Sequence, residues 1–154
     1  MSEANLHLAF VPLTVILPLR EAVIIAGTNR DTPYFPGDDA VDTRHVGVFD
    51  GDVCIGCATL LRSTWEAHPA WQLRGMAVAF DRQRQGVGRA LLAFLDQELL
   101  CIAPTVGVWC NVREKAVPFY RKAGFQVASE RFHIEHVGPH FRLFKPWMNK
   151  IISP

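Results

Sequence analysis

Gln83-Arg84-Gln85-Gly86-Val87-Gly88-Arg89 is the segment that most limits what this chain can fold into. It follows an apolar run, Gln72 to Phe80, that reads as a strand. It opens a stretch whose Val87, Ala90, Leu91, Phe94 and Leu95 recur at helical spacing. Gly86 and Gly88 remove side chains where backbone must come close to something. The first N–H groups of a helix have no internal acceptor, and the helix dipole favours an anion beside them. Arg82, Arg84 and Arg89 add positive charge nearby. Such a join predicts a phosphate cradle built mostly of main chain; the alternative is that the two glycines only make a tight turn. Two better-known phosphate loops do not fit. A Walker A loop needs four residues between its glycines and then Lys with Ser or Thr, whereas one residue separates Gly86 from Gly88 and Arg89-Ala90 follows. A dinucleotide fingerprint needs a third glycine where Leu91 stands and an acid where Val108 stands.

The rest of the chain alternates strand and helix patterns. A strand is predicted over Leu8–Leu13, and a helix over Pro18–Ala26 with Gly27 at its C-cap. Residues 28–43 are rich in turn formers. His45–Phe49 and Val53–Leu61 flank Asp50-Gly51, a type I′ hairpin signal. Thr105–Cys110 reads as a fifth strand. Asn111 with Glu114 has the spacing of a capping box for a short helix ending before Gly124, with Pro118 calling for a kink or a late start. Phe125–Phe132 and Phe141–Lys145 are expected as final strands around a Gly138-Pro139 turn. This order predicts an α/β (α+β) fold with a mixed, mostly antiparallel central sheet of about six to seven strands flanked by helices.

With 154 residues, 49% of them apolar, the chain holds one domain's worth of core. Its formal charge of +1 gives no reason to expect nucleic acid or an acidic membrane as partner. No apolar run is long enough to span a bilayer, and the N-terminus lacks a basic stretch and cleavage pattern, so a cytoplasmic address is expected. Cys54 and Cys57 form one CxxC without a second pair, in a strand pattern, and read as buried thiols rather than a zinc site. His133, His136 and His140 do not make a metal site either, because 133 and 136 face opposite ways on a strand; no metal is expected.

Two blocks together resemble the GNAT superfamily of acyl-CoA-dependent N-acetyltransferases. Gln83-Arg84-Gln85-Gly86-Val87-Gly88 fits that superfamily's Gln/Arg-x-x-Gly-x-Gly/Ala loop, and Leu73-Arg74-Gly75-Met76-Ala77-Val78 is similar to its fourth strand. Asn111 followed by Ala116-Val117-Pro118-Phe119-Tyr120-Arg121-Lys122-Ala123-Gly124-Phe125 is similar to its Asn…Phe-Tyr…Gly-Phe pattern in order and spacing. The resemblance implies a single N-acetyltransferase domain over residues 1–154 and a sheet that splays between its fourth and fifth strands. Acetyl-CoA would lie in that gap as co-substrate. Its pantetheine would pair with the backbone of Met76 and Val78, and its pyrophosphate would rest on the N–H groups of Arg84 to Arg89, so Gln83, Arg84, Gln85, Gly86, Val87, Gly88 and Arg89 are the cofactor-binding candidates. Asn111 matches a residue expected near the cofactor or an ordered water.

Transfer from a thioester to an amine needs a deprotonated amine, donors for the developing oxyanion and a proton for the departing thiolate. A main-chain N–H near Ala77 or Val78 would serve the oxyanion. Tyr120 is similar in position to the family's general acid, and a phenol of pKa about 10 holds a proton to give. Cys110 is not expected as a nucleophile, because the superfamily transfers the acyl group directly. The general base is not legible; Glu135, His140 and His45 are the candidates. Gly138-Pro139-His140 resembles a run found near the C-terminus in part of the superfamily, which makes Glu135 and His140 candidates for the acceptor pocket. Asp31, Asp38, Asp39 and Asp42 crowd one loop and raise a cationic amine acceptor, with a solvated turn as the alternative. The resemblance thus implies acetyl transfer to a primary amine of a small molecule or peptide. A non-catalytic acyl-CoA sensor is the rival, and a longer-chain acyltransferase, decided by the pocket beside Met76 and Trp109, is a second. A homodimer through an edge strand or through Trp147–Ile152 is one expectation; packing of that stretch on its own domain is the other.

Overall fold

The computed structural model describes residues 5–99 and 107–146. Strand β1 (Leu6–Val11) leads into helix α1 (Leu13–Arg20), which closes in a π turn over Glu21–Ile25. After a long loop come β2 (Arg44–Asp50), β3 (Val53–Trp65) and β4 (His68–Val78), then α2 (Val87–Leu99), β5 (Gly107–Arg113) and α3 (Val117–Lys122). Short β6 (Gln126–Val127) and β7 (Phe132–Ile134) precede β8 (Gly138–Pro146). The eight strands form one sheet in the order β1-β2-β3-β4-β5-β8-β6, with β7 against β8. Only β4 and β5 run parallel. The fold is the mixed, mostly antiparallel α+β architecture expected, with more strands because the C-terminal region holds two very short ones.

Helix α2 buries Val87, Leu91, Leu92, Leu95 and Leu99 against Leu60, Trp71, Leu73 and Val108 of the sheet. Phe94, at the margin of that stripe, meets Phe10 of β1 at 5.6 Å between ring centroids. The opposite face of the sheet takes α1, whose Ile16 packs on Cys57 and Ala77. Among the described residues no helix is long and apolar enough to cross a membrane.

Several expected boundaries move, each for a local reason. Helix α1 starts at Leu13, not Pro18, so Pro18 lies inside it. Proline cannot donate to the carbonyl one turn back, and the helix widens just beyond, where Ala26 N–H reaches Glu21 O at 2.8 Å. The first hairpin turns at Gly51-Asp52 with positive φ at Gly51 alone, the requirement of a II′ rather than a I′ loop. Strand β3 runs to Trp65 and β4 begins at His68, because Glu66 (φ 49) and Ala67 (φ 69) make the intervening turn without a glycine to announce it. Asn111 caps no helix: it lies within β5, and α3 begins at Val117 after a 3-10 turn, with Pro118 in its first turn. The strand expected over Phe125–Phe132 is only Gln126–Val127, and the last turn lies at 135–137, where His136 has φ 65. Cys101, Thr105 and Trp147–Ile152 lie outside the described residues.

The loop from 28 to 43 is tied to the sheet by a buried polar ring. Arg20 is fully buried. Its guanidinium donates to Asp38 Oδ2 (2.6 Å) and Oδ1 (3.1 Å), to Pro33 O (2.8 Å) and to Thr59 Oγ1 (2.8 Å). Thr59 faces His45 Nδ1 at 2.8 Å, and His45 Nε2 faces Asp38 O at 3.0 Å. Because the Asp38 carbonyl can only accept, His45 carries its proton on Nε2 and accepts from Thr59 at Nδ1. Arg74 adds a second guanidinium at 3.1 Å from Asp38 Oδ1 and also donates to Pro36 O. Burial alone would raise the Asp38 pKa; hydrogen bonds from Arg20, the Phe35 N–H and Arg74, with the Arg20 charge, outweigh it and hold the carboxyl below its ordinary value. Burial, helped by the Arg20 and Arg74 charges, lowers the His45 pKa despite its bond to Asp38 O.

Asp38→Asn should cost about 3–5 kcal/mol of stability by stranding a buried guanidinium, read as a drop in the urea midpoint. A group whose folded pKa is depressed contributes stability above its unfolded pKa and loses it as pH falls. His45 should therefore make the protein lose stability on acidification from about pH 6.5, by up to about 1.4 kcal/mol per pH unit. His45→Gln should flatten that slope, measured as the urea midpoint across pH 7.5 to 5, even if it lowers stability throughout; the Asp38 contribution persists to more acidic pH.

Candidate active site

The loop between β4 and α2 has the backbone of an anion cradle. Arg84 (φ 64) and Gly86 (φ 86) are left-handed and flank Gln85, which is not. Alternating handedness of this sort gathers successive N–H groups on one concave side. Gly86 O accepts from Ala90 N–H at 2.9 Å, so the N–H groups of the first helical turn have no helical acceptor. No acidic residue lies in that turn. The glutamines brace the loop: Gln83 Nε2 donates to Val78 O (3.0 Å) and Gln85 Nε2 to Asp81 O (3.2 Å). Arg82 pairs with Asp50 at 2.9 Å, which leaves Arg84 and Arg89 as the exposed positive charges of the loop, with Asp81 exposed at its start. At Gly88 a Cβ would come within 3.0 Å of Phe119 Cζ and 3.3 Å of Met76 Cε, so glycine lets α2 close on both.

The cradle stands at one end of a gap in the sheet. Strands β4 and β5 pair only at Trp71↔Val108 and Gln72↔Trp109. Beyond these pairs, residues 73–78 of β4 and 110–113 of β5 run on without pairing to each other. A β-bulge between β3 and β4 coincides with the parting; Gly75 has φ +62 there, and a Cβ would meet Arg20 Nε at 3.0 Å. Ala79 N–H donates to Ile55 O at 2.9 Å on the β3 side. Strand alternation therefore turns the main-chain groups of Val78 and Met76 to the other edge, which faces the gap.

Tyr120 projects from α3 to this gap. Its ring packs edge-on against Phe119 (5.1 Å) and Phe125 (5.5 Å), and its hydroxyl donates to Met76 Sδ at 3.3 Å. A thioether is a weak acceptor, so the proton is held without a strong competing partner. Burial, with a smaller effect from Cys110, pushes the Tyr120 pKa well above the ordinary phenol value, and the hydroxyl stays protonated at neutral pH. Burial also pushes the Cys110 thiol up to about 12, which removes the thiolate a covalent route would need.

On the opposite face of β5, Trp109 donates from Nε1 to Ser63 Oγ at 3.1 Å. Asn111 Oδ1 accepts from Arg142 Nε at 3.3 Å, and the Arg142 guanidinium lies 4.9 Å from the Trp109 ring centroid. Arg142 escapes a motif search; its place becomes visible only through the β5–β8 register, which sets Asn111 opposite it. His140 and Glu135 are not brought together with Tyr120. His140 is buried, its Nδ1 2.9 Å from Gly138 O and its ring against Phe132, while Glu135 sits exposed in the last turn, 3.6 Å from His136. Both nitrogens of His45 are engaged in the polar ring, which argues against its use as a base. Asp38 is neutralised by two arginines and offers no charge to a cationic acceptor; Asp31, Asp39 and Asp42 are exposed. Among the described residues no three His, Cys, Asp or Glu gather as a metal site. A cleft of about 380 Å³ beside the start of α1, lined by Phe10, Asp39 and Arg44 among others, shares no residue with the gap.

A family model described as "Acetyltransferase (GNAT) domain" matches residues 42–127, a span that contains the loop, the gap and Tyr120. The chain is 30% identical over 131 residues to the uncharacterized N-acetyltransferase YitI of Bacillus subtilis, covering 82% of this chain and 87% of that one. It is 25% identical over 133 residues to YjcF of the same organism, with the same two coverages. Its fold superposes with a TM-score of 0.78 on an N-acetyltransferase crystal structure from Lactobacillus plantarum, at 16% identity, over 93% of this chain and 99% of that one. The splayed strands, the nest before α2 and the match across both therefore belong together: this chain is a member of the GNAT family of N-acetyltransferases.

Proposed function

We propose that this GNAT N-acetyltransferase moves an acetyl group from acetyl-CoA directly to a primary amine of a small molecule or peptide. One observation carries the reading: the gap between β4 and β5 has an anion cradle at one end and, at its wall, a phenol whose proton is held only by a weak thioether acceptor. In this reading the main chain of residues 84–89 holds the diphosphate, and the gap-facing edge of Met76 and Val78 pairs with the pantetheine amides as an added strand would. Acetyl-CoA supplies an activated acyl carbon. The Val78 N–H, on the gap-facing edge, donates to the carbonyl oxygen as its charge develops, Ala77 being paired with Cys57 on the β3 side. Tyr120 Oη gives its proton to the leaving sulfur, and the proton shed by the attacking nitrogen passes to solvent, which reprotonates Tyr120. The apolar surroundings that raise the Tyr120 pKa keep that proton in place until a stronger base than Met76 sulfur forms. The unreactive Cys110 thiol favours direct attack by the amine over an acyl-enzyme.

Tyr120→Phe removes one oxygen and leaves the ring packing intact. It should lower kcat by about 10²-fold or more, while acetyl-CoA affinity by calorimetry stays within about twofold. Equal acceptor-dependent CoA release by the wild type and this variant would remove Tyr120 from the mechanism, and no acceptor-dependent release at all over a broad amine panel would favour a sensor. Gly86→Val forces a β-branched residue into left-handed backbone. It should weaken acetyl-CoA binding by about tenfold or more, seen in the same titration, with a smaller effect on the acceptor KM.

A further inference from the structure

The face of β5 opposite Tyr120 carries an exposed arginine with a free planar fork. Arg142 reaches from β8 across β5: Asn111 on β5 holds its Nε at 3.3 Å, and the Trp109 ring lies beneath its guanidinium at 4.9 Å. Asn111 belongs to the part of β5 that has left β4, and Trp109 is the last residue still paired with it. These two contacts orient the solvent-exposed guanidinium beside the opening of the gap. Its Nε is used, and no described residue bonds its two terminal nitrogens. A planar group anchored at one nitrogen and stacked on an indole keeps its remaining fork pre-aimed, which suits bidentate capture of a carboxylate.

The enclosed charge on this face has the same sign, whereas Asp31, Asp39 and Asp42 of the loop are exposed. Arg20 and Arg74 share one carboxylate, Asp38, so the polar ring beneath the 28–43 loop retains a net positive charge. Arg113, next to Asn111 in the opened part of β5, is exposed and has no described partner. Glu114, the nearest acid in sequence, is taken by Arg131 at 3.3 Å. We infer that the acceptor is a small amine that also bears a carboxylate, an amino acid in the broad sense, and that Arg142 binds this carboxylate while Asn111 and Trp109 position the guanidinium. The inference rests on acetyl transfer to an amine at this gap, and the cationic acceptor suggested by the aspartate count is its rival.

The test is a thiol-release assay with acetyl-CoA over α-, β- and ω-amino acids, each paired with its carboxamide. The amine of an α-carboxamide is less basic, so deprotonation alone would favour the amide. We expect kcat/KM to be at least about tenfold higher for one or more of the free acids than for the matching amides. Arg142→Gln should erase that preference mainly through KM for the acid, with acetyl-CoA affinity by calorimetry retained. Arg142→Lys should restore part of it, because it keeps the charge and loses the fork. Asn111→Ala should reduce the preference without abolishing turnover of the amides. Equal use of acids and amides by the wild type, or an equal loss on both in Arg142→Gln, would overturn the carboxylate site while leaving acetyl transfer standing. No CoA release with either set would overturn the amino-acid acceptor, and acetyl transfer would fall with it only if the broad amine panel also gave none.

Discussion

Among the described residues, Trp71↔Val108 and Gln72↔Trp109 are the only ladder pairs between the halves of the sheet. The gap between β4 and β5 follows from how few they are. A parallel ladder continued to Val78 would close the edge of β4 and leave no room for a ligand between the strands. The bulge at Gly75 bends β4 just past the last pair, and α3 places Tyr120 against Met76 where the strands have separated. The loop that follows β4 then delivers its cradle to the same opening, because α2 must pack on the core through Val87 and Leu91.

The two faces of this opening differ in chemistry. The face toward α2 and α3 is apolar, and it keeps Tyr120 and Cys110 protonated by excluding water. The face toward α1 is lined by arginines that are buried, paired or stacked. Burying Arg20 is tolerable only because Asp38, Thr59 and Pro33 absorb most of its donors. That same ring holds the 28–43 loop on the sheet, so the stability of the loop and the sign of the local charge come from one set of contacts. An acid count along the loop suggests a negative surface; the pairing of Asp38 with Arg20 and Arg74 takes one aspartate out of that count, while Asp31, Asp39 and Asp42 stay exposed.

Local patterns determined much of this protein. The glycine join after an apolar strand, the helical stripe of α2 and the Phe119-Tyr120…Gly124-Phe125 block are short-range features. The physics behind each acts within a few residues: left-handed backbone, unpaired first-turn amides and 3.6-residue periodicity. The α+β class, the order of the principal elements and the residues of the cradle were therefore legible before any contact was known. Where short-range rules compete, they misled. Glu66-Ala67 makes a turn without turn-type residues, and Asn111 has a capping spacing while β5 claims it for the ladder.

Only the tertiary structure decided what those residues face. That Arg20 meets Asp38, that His45 is enclosed by Thr59 and Asp38, and that Arg142 stacks on Trp109 beside Asn111 all depend on strands far apart in sequence being set in register. Such pairings carry no short-range trace, because an arginine on a strand reads the same whether its partner is water, a carboxylate or an indole. The amino-acid order alone thus defined a fold and the glycine loop before α2; the charge pairing, the protonation of buried groups and the neighbours of Arg142 emerged from long-range packing.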